Sequence, residues 1–189
     1  MEKINFEIEF NNQNFSDMDL SNFEFDRCTF HNCDFSGNNL RMTEFIDCLF
    51  DTCNLSSIKF NNTSLKSVDF VNTKMIGVDF SNTSDFLFSV NFKNCNLDYT
   101  NFYKVNLKKT QILDSSLKEV DFTECIMVES IVANCDLLGS IFENTFLTKA
   151  DLSKSINYTI NPIKNNIKKT KFSYPGVLGL LNQFDIIIK

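Results

Sequence analysis

The chain has 189 residues, 18 Lys and Arg against 24 Asp and Glu, and a formal net charge of −6. This negative charge argues against binding of nucleic acid through a basic surface, and no apolar run is long enough to predict a membrane-spanning helix. Hydrophobic residues make up 43% of the chain, with 21 Phe and no Trp, so we expect one domain with a Phe-rich core.

The first ten residues, MEKINFEIEF, lack the apolar core of a signal peptide. Seven cysteines without such a signal are typical of reduced thiols, and their odd number excludes complete pairing within one chain. We therefore expect a cytoplasmic protein with free cysteines.

Residues 27–33 read RCTFHNC and hold Cys28, Cys33 and His31, the only histidine of the chain. Cys-x-x-His spacing suits a zinc site, and a cysteine beside a histidine suits a thiolate nucleophile. A third interpretation is that these cysteines are ordinary members of a repeat, which depends on the pattern in the rest of the chain.

Large apolar residues recur at every fifth position from Phe10 to Phe80 and, after a slip of two residues, from Leu87 to Leu152. We call this position i. Position i−2 is mostly small or β-branched, and all seven cysteines lie there. Asn or Gly is frequent at i+2, where a turn would need a residue that tolerates unusual backbone angles.

A period of five residues fits two inward side chains at strand spacing followed by a corner. Positions i−2 and i then face inward, and i−1 and i+1 face outward. Cys28 and Cys33 would be wall residues, while His31, at i+1, would point to solvent. We therefore expect structural cysteines, with no metal, cofactor or catalytic residue in this motif.

The segments TNFYKVNLKK, EVDFTEC and KADLS resemble the pentapeptide repeat family, in which Asp or Asn often precedes the apolar residue. The resemblance covers about residues 6–155. It implies an all-β fold, a right-handed quadrilateral β-helix with four pentapeptides per coil. We assign residues 1–173 to this solenoid and residues 174–189 to a C-terminal tail with a short helix and a strand.

The slip near residues 83–86 lies in SNTSDFLFSVNF, where Asp85 takes an inward i−2 position and Phe86 and Phe88 are expected to point outward. One interpretation is a structural bulge between two stacks of coils. The other is a short projecting element in which Asp85, Phe86 and Phe88 contact a partner.

The tail carries Val177, Leu178, Leu181 and Phe184 at helical spacing, and Ile186–Ile188 is typical of a short strand. The last coil of a solenoid needs a cap, made by its own tail or completed by a second chain. The tail resembles that of Qnr-type and MfpA-like members, which implies a homodimer interface. Its residues would be Leu178, Leu181, Phe184, Ile186, Ile187 and Ile188. The basic segment 164–171 is a solvated face, a crossing point for the partner chain or an anion contact.

We expect no enzyme, because no phosphate-binding loop or nucleophile motif is present and Phe-filled coils leave no pocket. When outward residues are assigned to the four sides, three sides are negative and the fourth is neutral. Candidate acidic contacts are Asp34, Asp69, Asp98, Asp114, Glu119 and Asp136.

The Qnr-type resemblance implies a DNA-mimicking rod that binds DNA gyrase or topoisomerase IV and protects it from fluoroquinolones, conferring antibiotic resistance. From the negative charge and the lack of a long apolar run, we expect no direct contact with nucleic acid or membrane. The long loops of some Qnr-type members are absent, which favours a scaffold or immunity-type protein for another cytosolic partner as the alternative.

Overall fold

In the computed structural model, the described residues 3–184 and 186–187 form a parallel β-solenoid with four sides. Within this part of the chain the strands are three or four residues long, because a corner interrupts the backbone at every fifth residue. The strands are β1 (Ile4–Phe6), β2 (Glu9–Asn11), β3 (Glu24–Asp26), β4 (Thr29–His31), β5 (Glu44–Ile46), β6 (Leu49–Asp51), β7 (Ser64–Lys66), β8 (Val68–Val71), β9 (Val90–Lys93), β10 (Gln111–Leu113) and β11 (Ile131–Ala133).

The strands stack into two parallel sheets on adjacent sides of the solenoid. Side 1 is the sheet β2-β4-β6-β8-β9-β10-β11, and side 4 is the sheet β1-β3-β5-β7. Paired residues are 20 apart, as in Phe10 with Phe30, except across the slip, where Phe70 pairs with Phe92. Single bridges such as Asp34 with Asn54 build side 2, and bridges such as Lys59 with Asp79 build side 3.

The i residues fill the interior as columns of stacked rings. On side 1, the ring centroids of Phe30 and Phe50 are 4.7 Å apart and those of Phe50 and Phe70 are 5.1 Å apart. On side 2, the Phe15 and Phe35 rings are 4.5 Å apart. The large fully buried side chains are mostly these phenylalanines, which confirms the predicted inner column.

Position i−2 has a second role, which is to donate a hydrogen bond to the preceding coil. We call the preceding, N-terminal coil the coil below and the following coil the coil above. Thr43 Oγ1 donates to the Leu20 carbonyl at 2.8 Å, and Cys53 Sγ donates to the Phe30 carbonyl at 3.3 Å. In both cases the acceptor is the i residue 23 positions earlier. A small donor at i−2 therefore satisfies a buried carbonyl, which would otherwise lower stability.

The corners adopt the left-handed backbone that the i+2 pattern predicts. Asn12 and Asn32 both have φ of 53°, and Gly37 has φ of 68°. Asp and Asn at i−1 support the same turns, because their side chains accept the backbone N–H two residues later. Asp121 Oδ1, for example, accepts from the Thr123 N–H at 2.8 Å.

The slip is a bulge, but its register differs from the prediction in three residues. Asp85 was expected inside, yet it is exposed. Leu87 was expected inside, yet it has φ of 57° and is 65% exposed, as a corner residue is. Phe88 was expected to point outward, yet it is half-buried and packs against the core. The chain leaves the ladder in a turn in which the Phe88 N–H donates to the Asp85 carbonyl, and Phe88 then fills the interior.

The predicted tail helix is present as two short 3-10 helices, Gly176–Leu180 and Asn182–Phe184. The residue buried from them is Leu180, which the helical pattern omitted. Ile186 and Ile187 form no strand, and Ile188 lies outside the described residues. Among the described residues, the helical segments are too short to cross a membrane.

The 3-10 helices of the tail fit closely over the last coil. There Tyr158 and Ile160 are buried, whereas the regular register would have placed Asn157 inside. The Ile160 N–H donates to the Gly179 carbonyl, and an added Cβ at Gly179 would lie 2.0 Å from the Tyr158 carbonyl oxygen. The chain thus supplies a cap for its own end.

Candidate interaction surfaces

The RCTFHNC motif does not converge into a site. Cys28 and Cys33 are buried, and Cys33 Sγ donates to the Phe10 carbonyl at 3.4 Å. His31 is exposed, and its Nδ1 lies 3.2 Å from a carboxylate oxygen of Asp51 in the next coil. The prediction of wall cysteines with an outward histidine is confirmed. Across the described ranges, no group of three or more His, Cys, Asp or Glu is placed to hold a metal ion.

Three of the buried thiols are poor nucleophiles in the folded chain, whereas Cys33 differs, because its hydrogen bond with the Cys53 thiol lowers its pKa to about 7. Burial raises the pKa of Cys48 to about 12 and the pKa values of Cys95 and Cys135 to about 11. These thiols are therefore protonated at neutral pH, and the thiolate is the reactive form.

The six candidate acidic residues fall into two groups by exposure. One group is exposed at the corners or on the flat sides, and the other is half-buried. The exposed group is Asp69, Asp114 and Glu119, and the half-buried group is Asp34, Asp98 and Asp136.

The half-buried carboxylates also hold the backbone. Asp34 Oδ1 accepts from the Ser36 N–H at 2.9 Å, and Asp98 Oδ1 accepts from the Ser116 hydroxyl at 2.6 Å and from the Lys118 N–H at 2.9 Å. Part of the negative charge that the sequence assigned to a binding surface therefore has a structural role as well.

The bulge exposes a different set of residues from the predicted one. Phe86 is 66% exposed, as expected, with the Lys66 Nζ 5.5 Å from its ring centroid, and Asp85, which the register placed inside, is exposed as well. Phe88 is half-buried and is therefore no longer a candidate for partner contact, whereas the exposed Leu87 is a new candidate. Periodicity could not identify Leu87, because an apolar residue in register is expected inside.

Most of the predicted tail contacts remain on the surface. Leu178, Phe184, Ile186 and Ile187 are exposed, and Leu181 is half-buried. Capping of the chain's own end therefore leaves an apolar patch at the C-terminal end of the rod.

The net charge of side 4 changes sign along the rod, although its sum over the whole side is close to zero. Before the bulge it carries more acidic than basic residues, and after the bulge it carries five lysines and one glutamate. The first set is Glu7, Glu24, Asp26, Glu44, Asp47, Arg27 and Lys66; the second is Lys108, Lys109, Lys149, Lys168, Lys169 and Glu129.

The repeat is matched by two family models. One, the pentapeptide repeat region, matches residues 23–102, and the other, eight copies of pentapeptide repeats, matches residues 87–123 and 115–153. The matches together cover more than half of the chain. The chain belongs to the pentapeptide repeat family.

Solved pentapeptide repeat structures have the same fold. A trypsin-treated variant of QnrB1, described as a plasmid-mediated fluoroquinolone resistance protein, is 24% identical, with 98% of this chain and 100% of that chain covered and a TM-score of 0.53. HetL from the cyanobacterium Nostoc sp. strain PCC 7120, described as involved in regulation of heterocyst differentiation, is 16% identical, with 90% and 85% covered and a TM-score of 0.59. No curated protein matches the chain significantly.

Proposed function

We propose that this pentapeptide repeat protein is a binding protein rather than an enzyme, and that it protects DNA gyrase or topoisomerase IV from fluoroquinolones. The observation that carries the proposal is a closely packed solenoid whose sides 1 to 3 have excess negative charge, with exposed carboxylates at Asp69, Asp114 and Glu119. The whole-chain match to QnrB1, a fluoroquinolone resistance protein, supports it.

The physical basis is electrostatic. A groove built to hold duplex DNA is lined by positive charge and attracts a negative rod of similar width. The stacked phenylalanine columns make the rod stiff, so binding costs little conformational entropy. A rod in the groove would compete with the DNA that the drug-bound enzyme holds. This activity requires the protein to meet the enzyme in the cytoplasm.

A homodimer fits the symmetry of such an enzyme. Leu178, Phe184, Ile186 and Ile187 are exposed together near the C-terminal end of the rod. A two-fold contact would bury the same patch on both chains and join two rods end to end. The longer rod could then engage both halves of a two-fold symmetric topoisomerase.

The test is supercoiling by purified gyrase in the presence of ciprofloxacin, with and without the protein. We expect the protein to restore supercoiling. A variant with Asp69→Asn, Asp114→Asn and Glu119→Gln should protect less, while a matched variant with Glu7→Gln and Asp47→Asn on side 4 should protect as the parent does. No protection by the folded parent, or equal loss in both variants, would reject the DNA-like surface.

The dimer is tested separately by light scattering on the parent and on Leu178→Glu with Phe184→Glu. We expect a dimeric parent and a monomeric variant with an unchanged circular dichroism spectrum. A parent that is monomeric at micromolar concentration contradicts the tail contact. If the monomeric variant protects gyrase fully, the dimer is not required for function.

A second candidate is a scaffold or immunity-type protein for another cytosolic partner. The specific observation in its favour is the positive half of side 4, which no DNA mimic needs. HetL, a regulatory protein of the same fold, is an example of a pentapeptide repeat protein with a different role. Gyrase inhibition that is unaffected by the protein would favour this candidate.

A further inference from the structure

The bulge leaves a gap in the ladder of side 4. The Ser84 and Ser89 N–H groups donate to carbonyls in the coil below, at 2.8 and 3.0 Å. In contrast, within the described part of the chain no backbone hydrogen bond joins residues 84–88 to residues 104–108 in the coil above. The regular solenoid is therefore interrupted on this side only at the bulge, and the coil above presents an open strand edge at Asn106.

The gap opens into a cleft of about 300 Å³. Its lower wall includes Asp85 and Phe88 from the bulge, and its upper wall includes Lys104, Asn106 and Ile126. The cleft thus has both apolar side chains and open backbone groups that can donate a hydrogen bond to, or accept one from, one end of a partner segment.

An outward-facing apolar pair continues upward from the cleft. Ile126 and Phe146 occupy i−1 positions in successive coils and are bridged to each other, and Phe146 is 45% exposed. Outward i−1 positions elsewhere commonly hold Asp or Asn, which cap the turns. Single apolar residues occur at i−1 on the other sides too, as at Ile141, but two in successive coils of one side form a continuous apolar strip, which a contact with a partner would explain.

Lysines that form no close ion pair lie at both ends of this apolar pair, although Lys108 and Lys109 are near enough to Glu129 to help lower its pKa. Lys108 and Lys109 come shortly after the bridge residue Asn106, and Lys168 and Lys169 come shortly after the bridge residue Asn166, three coils higher. Among the residues that the structure describes, none of these four lysines forms an ion pair. Lys149, between them, is neutralised by Glu129 at 2.8 Å.

The spacing defines the chemistry of the occupant. Three coils at about 4.8 Å separate the lysine pairs by roughly 14 Å, which an extended chain spans in about four residues. We propose that the upper half of side 4 binds an extended, acidic segment of a partner protein, with carboxylates at both ends of the segment and apolar side chains between them. This surface we call the lysine side: Asn106, Lys108, Lys109, Ile126, Phe146, Lys168 and Lys169.

A protein segment fits this surface better than nucleic acid does. Ile126 and Phe146 occupy the middle of the positive strip, where a phosphate backbone would need further cations. The other three sides of the rod are negative and repel a long polyphosphate, whereas a short peptide can stay within the positive region. The docking is independent of topoisomerase protection, which relies on those negative sides.

The chain contains no Trp, so a single introduced Trp reports on the surface that carries it. Phe146→Trp places the reporter on the lysine side, and Tyr99→Trp places the matched reporter at the corner of side 2, where Tyr99 is 64% exposed. The probes are a short peptide with Glu-Glu at both ends and Val-Phe-Val between, the same peptide with Gln for Glu, and a short DNA duplex.

We expect the acidic peptide to change the fluorescence of the Phe146→Trp protein in a saturable way and to leave the Tyr99→Trp protein unchanged. The Gln peptide should bind at least about fivefold more weakly, because the lysines contribute through charge. No change with the acidic peptide, equal binding of the Gln peptide, or a response to duplex DNA instead would each overturn the proposal.

Charge reversal provides the second measurement, made with labelled acidic peptide on full-length protein. Lys108→Glu with Lys169→Glu should weaken binding by about tenfold at low salt, and added salt should reduce the difference. The matched control is Lys59→Glu with Lys74→Glu, which reverses two exposed lysines on sides 3 and 2. Because all four positions are exposed, folding should survive, as circular dichroism will check. Equal weakening in the two variants would mean that only net charge matters and would refute a specific lysine side.

Discussion

Phe50→Ala is the most direct test of the phenylalanine columns. The Phe50 side chain is fully buried. Its ring stacks on Phe30 in the coil below at 4.7 Å and on Phe70 in the coil above at 5.1 Å, and it makes edge contacts with Phe35 and Phe45 at 5.5 and 5.3 Å. Loss of its transfer free energy costs about 2–3 kcal/mol. A cavity that does not collapse adds up to about 2 kcal/mol, so we expect unfolding to become easier by about 3–5 kcal/mol.

Two matched variants distinguish the loss of core packing at position i from a general sensitivity of the inward-facing residues to substitution. Phe10→Ala removes the same side chain at the first coil, where the ring is only partly buried and stacks on Phe30 alone among its column neighbours, so the loss should be roughly half as large. Cys53→Thr changes an i−2 residue beside the same column. Thr73, one coil higher, already donates to the Phe50 carbonyl at 3.2 Å, so a Thr at position 53 should cost less than about 1 kcal/mol.

The assay is urea unfolding followed by circular dichroism, with the slope of the transition compared among the variants. An unchanged slope permits direct comparison of the free energies of unfolding. Equal losses in Phe50→Ala and Cys53→Thr would refute the division into a packing column at i and a hydrogen-bonding column at i−2. Equal losses in Phe50→Ala and Phe10→Ala would contradict the burial on which the magnitude rests.

Three further outcomes follow from the same structure. Cys48, Cys95 and Cys135 should resist a disulfide-exchange reagent at pH 8 until urea unfolds the chain, because burial raises the pKa of each of these thiols, that of Cys48 to about 12; fast labelling of these three residues in native protein would contradict this. The pKa of Asp51 is lowered by the Asn72 amide and that of Asp151 by the Ser153 hydroxyl, so their stabilisation is complete above the unfolded pKa near 4 and is lost as the pH falls below it. Melting temperatures should therefore drop from pH 5 to pH 3, and less so in Asp51→Asn. Gly179→Ala should release the tail to limited proteolysis, since its Cβ would collide with a carbonyl oxygen, and a tail as resistant as the parent's would disprove the described cap.

Most of the fold could be predicted from the sequence because the signal is repeated in nearly every coil. Side chains at i, i−2 and i+2 are constrained by the same environment in each coil. An inward Phe, a small wall residue and an Asn with left-handed backbone angles therefore recur too often to be a chance pattern. The burial of Phe30 and Cys33 and the exposure of His31 follow from position alone. The pairing of Phe10 with Phe30 follows from the four-sided coil that the family resemblance implied.

The same reasoning fails at the bulge and at the tail, because each occurs once and its pattern is not repeated in neighbouring coils. At the bulge, Leu87 and Phe88 compete for one interior position, and the larger Phe88 packs inside while Leu87 takes the corner. At the tail, the close approach of Gly179 to Tyr158 sets the 3-10 geometry, and a helical pattern in the sequence contains no information on that contact. Both errors concern residues whose place depends on a single tertiary contact.

The two inner positions also explain how the surface can vary without loss of the fold. Packing at i and the side-chain donor at i−2 both act within the coil stack, so they set stability and leave the outward positions free. The Asp and Asn residues at i−1 are an intermediate case, because Asp34 and Asp121 stabilise turns and add negative charge at once. Where i−1 is apolar instead, as at Phe146, the turn loses its side-chain cap. A family that keeps one rod can therefore acquire different partners by exchanging outward residues, and the upper half of side 4, with five lysines and one glutamate, is where this chain departs furthest from a uniformly negative rod.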